Sequence, residues 1–136
     1  MAQTFKVKIL TPSKVAMDEE VEKVFTKTTA GNIEFLPGHA PIILSTIPCV
    51  TVVYDGNGNK RELFTSNGVI NISNKELTFC CDAAETPEEI DLDRAKAAKE
   101  RAENRIKDSS KNDVRRAKAA LARAMVRIEL KESVLR

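Results

Sequence analysis

The chain has 136 residues, 42% of them hydrophobic, 31% charged and only 4% aromatic, with a formal net charge of +2. That length allows one compact domain, or a small domain with an appendage, and the lack of tryptophan predicts an aliphatic core. The charge is uneven, with 8 Lys/Arg against 10 Asp/Glu in residues 1–86 and 14 against 10 in residues 87–136; the tail's basic residues are interleaved with acids, which disfavours a uniform stripe for nucleic-acid phosphates.

Phe5, Val7 and Ile9 alternate with Lys6 and Lys8, the period of a half-buried strand, and Thr11-Pro12-Ser13 ends it. Residues 15–17 read as a short strand, Asp18-Glu19-Glu20 as a turn, and the Val- and Thr-rich residues 21–29 as the next strand. Ala30-Gly31-Asn32 turns the chain into a strand at 33–35, followed by the loop Leu36-Pro37-Gly38-His39-Ala40-Pro41. Further strands are expected at 42–45 and 49–54, with Asp55-Gly56-Asn57-Gly58-Asn59 as a hairpin turn. Strands at 62–65, 69–72 and 76–81, separated by Asn67-Gly68 and Asn74, complete the pattern. Short strands at even spacing predict an all-β sandwich or barrel.

At Ile90-Asp91-Leu92-Asp93-Arg94-Ala95 the period changes from 2 to 3.6, which marks a domain boundary. Thr86-Pro87-Glu88-Glu89 resembles a capping box, and Asp91 is a second N-cap candidate. One helix is expected at 92–107 and a second at 114–131, with a break at Asp108-Ser109-Ser110-Lys111-Asn112 and Asp113 as the second cap. Ala95, Ala98, Ala102 and Ile106 form one stripe; Val114, Ala117, Leu121, Ala124 and Ile128 form the other. Alanine seams bring antiparallel helices close but bury little area, and each buried CH₂ is worth only about 0.8 kcal/mol. The hairpin is therefore expected to be marginal alone and able to rearrange.

Cys49, Cys80 and Cys81 are odd in number, and neighbours on a strand face opposite ways, so Cys80 and Cys81 are not expected to pair. Free, buried thiols suit a reducing cytosol. Met1 to Thr4 has neither the basic start nor the apolar run of a signal peptide, and no apolar run approaches a membrane span. The only histidine, His39, has no partner for a metal site or a triad and reads as a residue that bonds backbone and holds its loop. No phosphate-binding glycine loop is present. The 55–59 segment lacks the distal glutamate of a calcium loop and reads as a turn.

Arginines are the main binding candidates. With the hairpin turn centred near Ser110, Arg94 comes level with Arg127, while Arg123 and Arg127 lie four apart on one helix face. Such a cluster repels itself unless Asp91, Glu85 or a bound anion compensates, and guanidinium forks suit phosphate oxygens. The alternative is that these arginines pair with Glu and Asp on a solvated surface.

Thr11-Pro12, the 36–41 loop, the strand pair around Asn67-Gly68 and the tail from Asp91 to Arg101 together resemble the epsilon subunits of bacterial F-type ATP synthases over nearly the whole chain. The proline–histidine loop and the I/L-D-x-x-R-A element at residues 90–95 are specific in combination. The sequence departs from the family pattern at Glu34, where glycine is usual, and at Asn67, where a glycine pair is frequent. Asparagine tolerates a left-handed backbone, so that turn is expected to survive.

The resemblance implies an α+β protein: a ten-stranded β-sandwich over residues 1–86, then an antiparallel two-helix hairpin over residues 87–136. It implies a non-catalytic rotor subunit whose sandwich binds the gamma subunit and the ring of c subunits, coupling ion flow to rotation. The hairpin would permit turnover when folded down and inhibit ATP hydrolysis when extended into the catalytic head, with Arg115, Arg116, Arg123 and Arg127 facing acidic segments of the alpha and beta subunits. His39 is implied as a partner-binding residue. ATP is implied as a regulatory ligand of the folded-down form, at Ile90, Asp91, Arg94, Ala95 and Arg101, to which the convergence argument adds Glu85, Arg123 and Arg127. No cofactor or metal is required, and nucleic acid is not a partner. Membrane association would run only through the complex, at the cytoplasmic face. Two other readings are an independent nucleotide- or nucleic-acid-binding module, which steep salt-dependent affinity would reveal, and an enzyme, for which the residues offer no catalytic constellation.

Overall fold

The computed structural model describes residues 3–73, 75–108 and 111–136. The chain divides into two compact units, residues 1–85 and 86–136.

The first unit holds nine strands: β1 (Phe5–Leu10), β2 (Val15–Thr28), β3 (Gly31–Phe35), β4 (Ile42–Thr46), β5 (Cys49–Asp55), β6 (Lys60–Thr65), β7 (Gly68–Ser73), β8 (Glu76–Cys81) and β9 (Ala84–Glu85). The order is β1-β8-β7-β4-β2-β5-β6-β9, with β3 on β2 and β1 also pairing β2. The sheet folds on itself into a sandwich, because β2 serves both layers. Its first half pairs β1 from Val15 to Val21, and its second half pairs β5 and β3 from Val21 to Thr28. A register shift between Val21 and Lys23 re-aims the strand between the two tasks. All pairings are antiparallel except β1 with β8.

Among the described residues the count is nine strands, not ten, and the turn expected at Asp18-Glu19-Glu20 is continuous strand. The acids are accommodated by their partners. Asp18 pairs with Lys6 at 2.6 Å, and Glu20 accepts the Thr4 hydroxyl at 3.1 Å. Glu19 lies opposite buried Val7, so it faces inward at the rim, where it meets Arg61 of β6 and ties one layer to the other. A sequence window sees three acids; the fold gives each a partner distant in sequence.

The core is largely aliphatic, as expected, but it also takes in three phenylalanines. Phe5, Phe35 and Phe79 pack with Val7, Ile9, Val24, Val53, Ile70 and Leu77. One end is polar. Thr26, Thr51 and Thr65 point inward, with Oγ1 separations of 2.8 Å (26 to 51) and 2.7 Å (51 to 65), and the Cys49 Sγ lies 3.2 Å from Thr26 Oγ1. Hydroxyls that donate and accept along a chain satisfy one another without water.

Asp55 closes the predicted hairpin: its Oδ1 accepts the amides of Asn57 at 2.8 Å and Asn59 at 3.0 Å. Those amides hold its carboxyl below the usual range. The predicted turn at Asn74 lies outside the described residues. Asn67 does not take the left-handed conformation allowed for it; among the described residues only Lys75, at φ 64°, does so without being glycine. Gly68 answers to crowding instead. A Cβ there would collide with the Cys80 carbonyl oxygen and lie 2.8 Å from Cys81 Cα.

The second unit opens with a 3₁₀ turn at Pro87–Glu89, followed by α1 (Leu92–Asp108) and α2 (Lys111–Leu135), which pack along each other. Thr86 N–H and its hydroxyl both donate to Glu89 Oε1, at 3.0 and 3.1 Å, so the predicted capping pair fixes the 3₁₀ turn rather than α1. α1 is capped by Asp91, whose Oδ1 accepts Arg94 N–H at 3.1 Å. The predicted break shrinks: Asp108 closes α1, Lys111 and Asn112 belong to α2, and Ser109 and Ser110 lie outside the described residues. Because α2 begins at Lys111, Asp113 is inside it and not its cap. Ala95, Ala102, Ala117 and Ala124 are buried on the expected stripes, and Ile106 and Ile128 are half-buried.

Cys80 and Cys81 face opposite ways, as alternation requires. Cys80 is exposed, against expectation, whereas Cys49 and Cys81 are buried and all three thiols are free. Burial pushes the Cys81 thiol up to about 11. Iodoacetamide at pH 8 should alkylate Cys80 in the native chain and spare Cys49 and Cys81, while all three react in denaturant; mass spectrometry reads the sites. Gly68→Ala should destabilise the chain by about 2–3 kcal/mol through overpacking against β8, read as a lower urea midpoint.

Candidate functional site

Three surfaces carry the functional candidates. The first is the turn into α1. Ile90 is buried, and its N–H bonds the Pro87 carbonyl at 3.3 Å. Asp91 follows with its carboxylate committed to Arg94 N–H and its carbonyl accepting Ala95 N–H at 3.0 Å. Ala95 is buried on the helix seam. Ile90, Asp91, Arg94 and Ala95 are thus one local structure: an apolar anchor, a cap, an exposed guanidinium and a small seam residue that lets α2 approach.

The remaining arginines are distributed along the helices. Arg101 is exposed on α1, Arg115 and Arg116 are exposed on α2, and Arg123 and Arg127 are half-buried on α2. Among the described residues Arg94, Arg101 and Arg123 have no ion-pair partner, which leaves their forks available to an anion. Arg127 and Glu85 do have partners. Glu85 lies on β9, in the first unit, whereas the other candidates of this group lie in the second. Asp91 caps α1 through Oδ1, as its position at the start of the helical period suggested.

The second surface is the proline loop. Pro37 and Gly38 occupy the centre of a turn closed by His39 N–H on the Leu36 carbonyl at 3.2 Å, and Gly38 has φ 84°. His39 Nδ1 lies 2.8 Å from the Ala40 carbonyl oxygen, and its ring meets Phe35 edge-on at 5.2 Å. The histidine holds its loop, as its lone occurrence suggests, and remains half-exposed.

The third surface was not visible in the sequence. On the outer face of β1, β8 and β7, Val15 pairs with Leu10, Leu10 with Cys80, and Cys80 with Val69. Val15 is 62% exposed and Val69 45%, and Ile43, on neighbouring β4, is 69% exposed. Only the register places these residues side by side, because they come from five strands. Lys131 was also missed. Its Nζ donates to the Pro87 carbonyl at 2.9 Å, and nothing in a lone lysine near a helix end signals that bond. Among the described residues no group of His, Cys, Asp and Glu has metal-site geometry, and no helix is long and apolar enough to cross a membrane.

Comparison with known proteins gives a family for both units. Residues 4–87 match the model for the ATP synthase delta/epsilon chain β-sandwich domain, and residues 88–132 match that for the long α-helix domain. The ATP synthase epsilon chain of Clostridium novyi (strain NT) is 42% identical over 130 residues, covering 96% of this chain and 99% of that one. A chain in the Euglena gracilis mitochondrial ATP synthase (OSCP, F1 and c-ring) shares the fold with a TM-score of 0.80 at 19% identity, covering 98% of this chain and 82% of that one. A chain in the Tetrahymena thermophila mitochondrial ATP synthase central stalk and c-ring does so with a TM-score of 0.69 at 11% identity, covering 96% and 98%. Sandwich, hairpin and both domain matches agree, and the chain belongs to the ATP synthase epsilon chain family, whose members are subunits that do not catalyse by themselves.

Proposed function

We propose that this chain is the rotor-stalk subunit of a bacterial F-type ATP synthase, coupling ion flow to ATP synthesis and restraining ATP hydrolysis through its helical hairpin. The observation that carries the regulatory part is the seam between α1 and α2, buried mainly through Ala95, Ala102, Ala117 and Ala124. Each alanine offers a single methyl, so the closed hairpin is held by little apolar area. A ligand or partner of modest differential affinity is then enough to choose between closed and open forms.

The sandwich is the docking part. Its exposed row of Val15, Leu10, Cys80 and Val69, with Ile43 beside it, suits burial against the gamma subunit, and His39 and its loop belong to the same docking unit, toward gamma and the ring of c subunits. In the open form Arg115, Arg116, Arg123 and Arg127 on α2 meet acidic segments of the alpha and beta subunits. In the closed form ATP is the regulatory ligand, held by Ile90, Asp91, Arg94, Ala95 and Arg101, with Glu85, Arg123 and Arg127. The free forks of Arg94, Arg101 and Arg123 support that reading, since planar guanidinium groups bind phosphate oxygens in pairs. The chain is peripheral to the cytoplasmic face of the membrane, attached through the complex.

Deleting residues 87–136 should leave assembly with gamma intact and raise ATP hydrolysis by the reconstituted complex; a truncated subunit that no longer binds gamma contradicts this division of labour. Arg94→Ala should weaken ATP binding to the isolated full-length chain by about tenfold, the loss of one charge-assisted contact. Unchanged affinity by calorimetry removes Arg94 from the site.

A further inference from the structure

We infer that Lys131 is the latch of the helical hairpin, its ammonium fastening the far end of α2 to the Pro87 carbonyl at the entrance to α1. The bond is 2.9 Å long and joins residues 44 apart in sequence. Its acceptor is held in place by contacts other than the lysine's. Proline fixes its own φ, Thr86 N–H and hydroxyl bind Glu89, and the same Pro87 carbonyl accepts Ile90 N–H at 3.3 Å. A carbonyl oxygen has two lone pairs, so it serves Ile90 and Lys131 together. Leu130, next to the lysine, is 1% exposed, and Ile90 is 4% exposed. Both ends of the bond are therefore anchored beside buried side chains.

The position gives the bond its leverage. The alanine seam contributes little per residue, so a charge-assisted bond near the last turns of α2 adds resistance to separation of the two helices there. It also closes on the turn that leads through Ile90 into the Asp91 cap. A ligand that orders that turn sets the carbonyl for Lys131, and a closed latch orders the turn for the ligand. This gives regulation without any contact between Lys131 and the ligand. The inference rests on the reading of the hairpin as a regulatory element, and the two are separable by experiment.

In the full-length chain, Lys131→Met should raise amide hydrogen exchange across α2 about tenfold, while Lys131→Arg, which keeps a cationic donor, should stay near the native rate. Strands β5 and β8 serve as the internal reference that the variant is folded. Exchange in α2 unchanged by Lys131→Met overturns the latch, as does Lys131→Arg exchanging as fast as Lys131→Met. In the reconstituted complex the Met variant should hydrolyse ATP more slowly, because the open form is more populated. Faster α2 exchange with unchanged hydrolysis supports the latch and overturns the regulatory reading of the hairpin.

Discussion

One strand carries the first unit. β2 runs for 14 residues, gives its first half to β1 and its second half to β5 and β3, and changes register between the two. Because it belongs to both layers, the sandwich needs no separate hinge: Met17 and Val21 from one half and Val24 from the other enter the same core. The three acids in its middle are tolerated because backbone pairing with β1 is uninterrupted there and each side chain finds a partner across the ladder or across the rim. Exposed ion pairs of this kind add little stability. Their consequence is that the strand can continue through three consecutive acids.

The two units solve the problem of cohesion differently. In the sandwich, close packing of Phe35, Phe79, Val7 and Leu77 with a self-satisfied threonine chain leaves one well-defined interior. In the hairpin, alanines bring two long helices together while burying little, and the termini are fixed by discrete polar contacts: the Asp91 cap, the Thr86–Glu89 pair and the Lys131 bond. The first unit is held by a continuous packed interior and the second by a thin seam and a few separable contacts, so the two differ in how much must break before they open.

Much of the fold was legible because period and punctuation are local properties. The alternation in Phe5, Val7 and Ile9, the Asp55–Asn59 turn and the alanine stripes each report their own environment. What failed did so for non-local reasons. The Asp18-Glu19-Glu20 turn was misread because Lys6, Thr4 and Arg61 are distant in sequence. Gly68 read as a turn residue, but the constraint on it is the Cys80 carbonyl of a neighbouring strand. Of the candidate binding residues, the Ile90–Ala95 element was legible as a motif and Asp91 as a cap, because capping is local, whereas the bond from Lys131 to Pro87 joins residues too far apart for any window to hold both.

Residue type and spacing suffice for the division into a β unit and a helical unit, for the alanine seam, for the free thiols and for the basic character of the tail. Tertiary structure alone decided that β2 is one strand shared by two layers, that Cys80 lies in an exposed apolar row with Leu10, Val15 and Val69, and that Lys131 reaches Pro87. The reason is that register and the meeting of chain ends are set by the simultaneous packing of all the strands or both helices. No single window of the chain contains that information.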